Sequence, residues 1–365
     1  MINMSVGEPD FNTPDHIKEA GKKAIDDNFS KYSPVPGYMD LREAIVEKLK
    51  KENGLAYTTN EVIAGIGGKQ GVCNTILALV NPGDEVIIPA PYWVSYPQMA
   101  KLAGATPVIV RAGFEQDFKM TAEQLEAAIT PKTKLLILCS PSNPTGSVYS
   151  QEELNALAEV ILKHEDIFVL SDEIYEHINY VGKAASIASY PGMKERTIIC
   201  NGVSKAYAMT GWRLGWVAAP AWIVKGINKL QGQYTSGTCD VSQKAAVAAY
   251  VASQDCVEQM RVAFERRRDL IVKLAKDIPG LEVNVPQGAF YLFPKCSSFF
   301  GKSDGETVIN NSTDFAMYIL EKAHVATVGG DAFGDPDCFR MSYATSDDNI
   351  REAMRRIKEV LAVLK

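Results

Sequence analysis

"VSKAYAMTGWRLGWVAAP" occupies residues 203–220, separated by two residues from the apolar run Thr197, Ile198, Ile199, Cys200. One lysine, Lys205, and one arginine, Arg213, stand in a stretch otherwise composed for burial. An amine at the end of an apolar strand needs a counterion or a covalent partner, because an unpaired buried ammonium is costly and sheds its proton instead. A lysine so depressed is a nucleophile suited to Schiff-base formation. Standing alone, it would as readily snorkel to the surface, so its meaning depends on what the rest of the chain brings beside it.

From about residue 60 to 220, apolar runs of strand length alternate with segments of helical period, the pattern of a mainly parallel sheet with crossover helices. The expected strands are Glu61 to Ile66, Glu85 to Pro89, Thr106 to Val110, Lys134 to Leu138, Ile167 to Leu170, Thr197 to Cys200 and Leu214 to Ala218. They make one sheet of seven. Ser150 with Glu153 forms a capping-box pattern ahead of a helix that presents Leu154, Leu157, Ala158 and Ile161 on one face. Residues 254–278 read as one long helix, with Arg266, Arg267 and Arg268 expected on a solvated face. Beyond Pro279-Gly280, short strands and a final helix from about Ser346 point to a smaller α+β domain. The expected division is a large domain over 30–275 and a small one from 1–29 with 276–365.

Composition narrows the function classes. The chain has 365 residues, 46% of them apolar, enough for two domains. A net charge of −6 gives no footprint for nucleic acid or an anionic membrane surface. Seven cysteines without a C-x-x-C read as reduced, buried thiols, and the four histidines form no metal-spaced pair, so neither a disulfide framework nor a metal site is expected. "MINMSVGEPDFNTP" lacks the features of a signal peptide and no segment holds 18 uncharged apolar residues, so a cytoplasmic protein is expected.

In an open parallel sheet, ligands bind beyond the carboxyl ends of the strands. "GIGGKQG" (65–71), "CSPSNPTG" (139–146), "SDEIYEH" (171–177) and "NGVSKAY" (201–207) lie there. The first fails both the dinucleotide fingerprint and the P-loop, Gln70 standing where a small residue or a Ser/Thr is needed. What remains is a glycine-rich turn feeding a helix N-terminus, a place that favours phosphate but serves equally as a plain tight turn. A pyridine-type cofactor acting as an electron sink needs a carboxylate at its ring nitrogen, donors at its phenolic oxygen, a phosphate cradle and a Schiff-base lysine. Asp172, then Asn143 with Tyr175, then the amides of Gly68, Lys69 and Gln70 with Ser204 and Arg213, and lastly Lys205, fill those roles in that order.

The motifs "PSNPTG" (141–146), "SDEIYEHI" (171–178) and "SKAYAMTGWRLGW" (204–216) resemble those of the pyridoxal-phosphate enzymes of fold type I, class I aminotransferases. "GEPDFNTP", "KYSPVPGYMDLREAI", "GGKQG" and "PAPYWVSYP" resemble the aspartate and prephenate aminotransferase branch of bacteria, and the likeness runs over nearly the whole chain. The resemblance implies pyridoxal 5'-phosphate as cofactor and a homodimer with shared active sites. It further implies that Lys205 holds the cofactor and moves the proton, that Asp172 keeps the pyridine nitrogen protonated, and that Tyr175 and Asn143 bond the phenolic oxygen. Trp93 would stack on the ring. Arg213, Ser204 and the amides after Gly67 would hold the phosphate, joined by Tyr32 from the neighbouring subunit. Arg340, assisted by the backbone of Gly7, would clamp the substrate α-carboxylate, and Lys69 would meet the distal carboxylate of a dicarboxylic substrate. Relatives usually carry a longer arm before "GEPDF", whereas six residues precede Gly7 here; dicarboxylate preference and dimer stability are expected to depend on it.

The leading expectation is ping-pong transamination between aspartate and 2-oxoglutarate. Aminotransfer from alanine or aromatic amino acids or to prephenate, and β-elimination at a C–S bond, are the other outcomes open to the same site. A ligand-sensing module lacks a DNA-binding partner domain, and a Ser204–Lys205 hydrolase lacks a G-x-S-x-G turn.

Overall fold

The computed structural model describes residues 1–365. Its strands are β1 (Ile2–Asn3), β2 (Val62–Ile66), β3 (Glu85–Ala90), β4 (Thr106–Arg111), β5 (Thr133–Cys139), β6 (Phe168–Asp172), β7 (Thr197–Gly202), β8 (Leu214–Ala218), β9 (Tyr291–Leu292), β10 (Val325–Ala326), β11 (Val328–Gly329) and β12 (Phe339–Ser342). The seven expected strands form one sheet in the order β2-β8-β7-β6-β5-β3-β4, with β8 alone running against its neighbours. Successive residues of a strand point to opposite faces. Thus Leu135 and Ile137 pack into one core while Leu136 and Leu138 pack into another, and Ile198 and Ile199 divide in the same way. With helices over both faces, the strands are continuous apolar runs, which is why they stand out in the sequence.

Two strands run two residues further than expected at their carboxyl ends. β6 reaches Asp172 and β7 reaches Gly202 because both ends are still paired: Asp172 lies opposite Cys139 and Cys200, and Gly202 opposite Gly215. Asp172 therefore rides on a strand rather than on the loop past it, flanked in register by two strand ends.

The C-terminal residues build a separate core, in which Phe290, Leu292, Phe315, Phe339, Met341 and Ile357 are buried around the three-stranded sheet β11-β12-β9. β1 pairs with β10, and Met4 is buried in this same core, so the N-terminal segment returns to it. The long helix Asp255–Lys276 places Met260, Phe264, Ile271 and Ala275 there but Val257 in a core of the large sheet. We propose that the two kinds of core mark the two expected domains, with this helix shared between them.

The arginine stripe on that helix is not a solvated face. Arg267 is buried, bonded to both carboxylate oxygens of Asp10 at 2.7 and 3.0 Å and packed over Phe11 and Phe264. Arg268 donates to the Pro286 carbonyl and Arg266 pairs with Asp347. Consecutive helical residues lie about 100° apart, so three in a row cannot all face water on a helix with one buried side. The thiols also differ from expectation: none is in a disulfide, but only Cys200, Cys296 and Cys338 are fully buried and Cys239 is exposed. No helix is long and apolar enough to cross a membrane.

Candidate active site

A cavity of about 430 Å³ opens where the carboxyl ends of β5, β6 and β7 meet the start of the helix Gly67–Leu79 and the C-terminal sheet. Its wall includes Gly7, Gly68, Lys69, Trp93, Asn143, Asp172, Tyr175, Ser204, Lys205, Arg213 and Arg340. These are eleven of the thirteen residues singled out from the sequence. The size suits a small ligand.

Two residues stand apart. Gln70 turns its side chain back, accepting from the Ile66 N–H at 2.6 Å and donating to Thr235 at 2.8 Å, so only its backbone amide is left as a candidate. Tyr32 is fully exposed and away from this cavity.

The helix start is built by close backbone approach. Gly67 has φ +72°, and a Cβ there would lie 2.6 Å from Arg213 Nη2, while one on Gly215 would lie 2.2 Å from the Gly68 amide nitrogen. Neither position accepts a side chain, which lets Arg213 lie against the turn. Arg213 itself holds a left-handed backbone at φ 55°, sparsely populated by non-glycine residues and found where a fold over-determines a functional position.

Lys205 Nζ donates to the Gly7 carbonyl at 2.6 Å. Burial, with the positive charges of Arg340 and Arg213, pulls its amine down to about 8 against the opposing pull of Glu8 and Asp172. Asp172, 6% exposed, accepts from Tyr96 Oη at 2.6 Å and from the Ile174 N–H at 3.3 Å. Burial raises its pKa while those two bonds and Lys205 oppose the rise.

Arg340 lies on β12, the middle strand of its sheet, with no carboxylate partner. Its Nη1 donates to Asn143 Oδ1 at 2.9 Å and its Nη2 to the Ser5 carbonyl at 2.6 Å, while the rings of Tyr291 and Phe333 flank the guanidinium at 4.6 and 4.8 Å. Nε is buried without a partner. With its oxygen committed to Arg340, Asn143 faces the cavity with its amide donors. Lys69 Nζ lies 4.9 Å from the ring centre of Trp93.

Reading the sequence did not single out Tyr96, Cys139, Ile174, Thr210, Tyr291, Val328 or Phe333, all on the wall. Tyr96 had a signal, standing three residues after Trp93 in "PYWVSYP". Tyr291 and Phe333 sit in apolar runs that read as core.

The donor set fits pyridoxal phosphate. Lys69, Lys205, Arg213 and Arg340 face a single carboxylate, Asp172, so the wall suits a ligand with several negative charges, and a carboxylate and an amine of the kind such a ring and its aldehyde would need are both present. In comparisons with known proteins, residues 1–357 match the family model for aminotransferase class I and II. The chain is 50% identical, over its whole length and 77% of the relative's, to the bifunctional aspartate aminotransferase and glutamate/aspartate-prephenate aminotransferase of Petunia hybrida. It is 49% identical to the aspartate/prephenate aminotransferase of Cereibacter sphaeroides, covering all of this chain and 92% of that one. The crystal structure of the aspartate aminotransferase from Rhizobium meliloti superposes with a TM-score of 0.97 at 44% identity, covering 100% of this chain and 92% of that one.

Proposed function

The chain belongs to the class I and II aminotransferases, and on that premise we propose that it moves the amino group of L-aspartate to 2-oxoglutarate, with prephenate as a second acceptor. The observation that carries the reading is the cavity wall, where one buried carboxylate, Asp172, and one depressed amine, Lys205, stand among three further cations. Prephenate enters because the Petunia and Cereibacter relatives carry it in their names.

Pyridoxal phosphate, when bound, supplies a protonated ring that withdraws the electron pair left at the substrate Cα. Asp172 holds the ring nitrogen's proton, and the Tyr96 hydroxyl keeps that carboxylate in place. Tyr175 and the Asn143 amide would donate to the cofactor's phenolic oxygen, and Trp93 would pack against its ring. The amides of Gly68, Lys69 and Gln70 at the helix start, with Ser204 and Arg213, hold the phosphate. Arg340, restrained by Asn143 and Ser5, offers its remaining N–H groups to the α-carboxylate beside Gly7. Lys69 takes the distal carboxylate. Lys205 Nζ would take the proton from the substrate Cα and deliver it to the cofactor carbon that receives the amino group, a role suited to an amine whose pKa is drawn down to about 8. Tyr32 of a second copy reaches the phosphate, which makes the working form a homodimer.

The test is the absorption spectrum of the protein with pyridoxal phosphate, before and after L-aspartate is added without an oxo acid. Loss of the visible band to the ultraviolet, and its return with 2-oxoglutarate, is expected. A visible band that ignores aspartate overturns the substrate and the role of Lys69; Lys69→Ala is expected to lower kcat/KM for aspartate, and undiminished efficiency refutes dicarboxylate recognition by that side chain.

A further inference from the structure

Tyr291 lies at the meeting point of three groups that the preceding reading uses. It is 1% exposed, its hydroxyl oxygen is 2.7 Å from that of Tyr175, and its ring lies 4.6 Å from the guanidinium of Arg340. It also abuts Gly7, where a Cβ would come within 2.3 Å of the Tyr291 hydroxyl oxygen. β9 and β12 pair in register, Tyr291 opposite Ser342, so the strand that bears Arg340 also fixes the ring beneath it.

A phenol carries one proton to donate, and two phenols bonded to each other use only one of their two protons in that contact. The Tyr291 hydroxyl has no hydrogen-bond partner but Tyr175. Both tyrosines line the cavity, so in the ligand-free protein either hydroxyl can be the donor. Once the single Tyr175 proton is given to the ligand, as proposed above, Tyr175 can only accept at this contact, and Tyr291 is the donor of the pair. At the other end, the aromatic faces of Tyr291 and Phe333 confine the guanidinium to one plane, so the bonds to Asn143 and Ser5 are made without side-chain wandering.

We propose that Tyr291 is a positioning residue with two ends: its hydroxyl donates to Tyr175 and turns the Tyr175 proton toward the ligand, and its ring holds Arg340 in the plane that receives the substrate carboxylate. The proposal rests on the cavity's taking pyridoxal phosphate, as above.

Substitution separates the ends. Tyr291→Phe deletes only the hydroxyl, whereas Tyr291→Met fills the volume without an aromatic face; Tyr291→Leu is a second aliphatic variant should the first not fold. In the protein loaded with pyridoxal phosphate, spectrophotometric titration of the visible band in Tyr291→Phe is expected to show its midpoint raised by on the order of half to one pH unit, the worth of one weakened hydrogen bond. The same change made in a Tyr175→Phe background should produce no further shift, because the two hydroxyls act as one unit. KM for aspartate is expected to stay within about twofold in Tyr291→Phe and to rise about tenfold or more in the aliphatic variants, as a lost cation–π contact of one to two kcal/mol implies. A wild-type titration in Tyr291→Phe, or a shift of equal size without Tyr175, overturns the hydroxyl's role, and an unchanged KM in a folded aliphatic variant overturns the ring's. If the parent protein itself takes up no pyridoxal phosphate, it is the proposed function that fails; if the parent titrates normally and Tyr291→Phe matches it, this inference alone fails.

Discussion

Replacing Lys205 by methionine is expected to stabilise the ligand-free protein, and the size of the gain can be worked from the site. Burial and two arginines bring its pKa from 10.5 to about 8. At about 1.36 kcal/mol per pKa unit, that fall corresponds to about 3.4 kcal/mol of penalty on the ammonium form. In the unfolded chain the lysine keeps its proton up to its ordinary value, whereas the folded protein releases it near 8. Between those values the unfolded state binds more protons, so stability rises with pH; below 8 both states are protonated and the folded one bears the whole penalty. Methionine removes that penalty along with the bond to the Gly7 carbonyl, whose loss takes back about 1 kcal/mol. A net gain of about 2 kcal/mol is expected below pH 8, closing as pH rises toward 10.5. Urea unfolding of both proteins across pH 6.5 to 10.5, without pyridoxal phosphate, measures it. Competitive labelling of the parent with acetic anhydride gives the amine's own midpoint, and at pH 7.5 a midpoint of 8 leaves roughly a quarter of Lys205 neutral where an ordinary lysine has about a thousandth. A midpoint of 10 or above, or a stability difference that does not change with pH, refutes the reasoning.

Tyr96→Phe removes a 2.6 Å bond to the Asp172 carboxylate and with it one of the two bonds that oppose the burial-driven rise of its pKa; kcat is expected to fall about tenfold with KM little changed, a pattern that steady-state kinetics reads directly. Glu173 is pushed up to about 7 by burial and by Glu176, so the folded state holds a proton that the unfolded chain loses near 4.5, and stability falls as pH rises through that window. Glu173→Gln should therefore melt above the parent at pH 8 but not at pH 4.5, and equal midpoints at pH 8 would count against it. Burial also pushes Glu176 up, but Lys48 and His177 outweigh it and hold the carboxyl at about 2, so its contribution is present above 4.5 and lost as pH falls toward 2. Glu176→Ala leaves the buried Lys48 with Glu52 at 3.6 Å and the Asn53 side-chain oxygen at 2.8 Å, and a loss of about 1.5–3 kcal/mol in urea unfolding at pH 7 is expected; a loss under 1 kcal/mol would show the pair to be dispensable.

Seven strands and the residues at their ends were legible because both depend on local chemistry. A parallel strand covered on both faces is an unbroken apolar run, and the polar residues just past it belong to the edge where ligands bind. What was not legible depends on which distant segment lands beside a residue. Tyr96 becomes the partner of Asp172 only when the helix Ser95–Leu102 packs at the end of β6. Tyr291 becomes part of the cavity only when β9 pairs with β12; within "GAFYLF" it is one aromatic among several. Gln70, chosen for its place in a glycine-rich turn, proves to spend its side chain on closing that turn.

The N-terminal segment shows why a basic stripe was misread and why that matters for the site. The Ser5 carbonyl takes Arg340, the Gly7 carbonyl takes Lys205, Glu8 accepts from Thr210, and Asp10 takes Arg267. Within six residues the chain thus supplies acceptors to three cations from three distant elements, two of them on the cavity wall. Backbone carbonyls leave no mark in a sequence, since any residue but the crowded Gly7 could offer one. Asp10 does leave a mark, yet its partner sits 257 positions away. Arg267 is buried because that carboxylate reaches it, and the carboxylate reaches it because the segment is pinned at one end by the pairing of β1 with β10. The same pinning sets the carbonyls of Ser5 and Gly7 against two cations of the cavity wall, so the tether at Asp10 and Arg267 bears on the shape of the cavity without touching it.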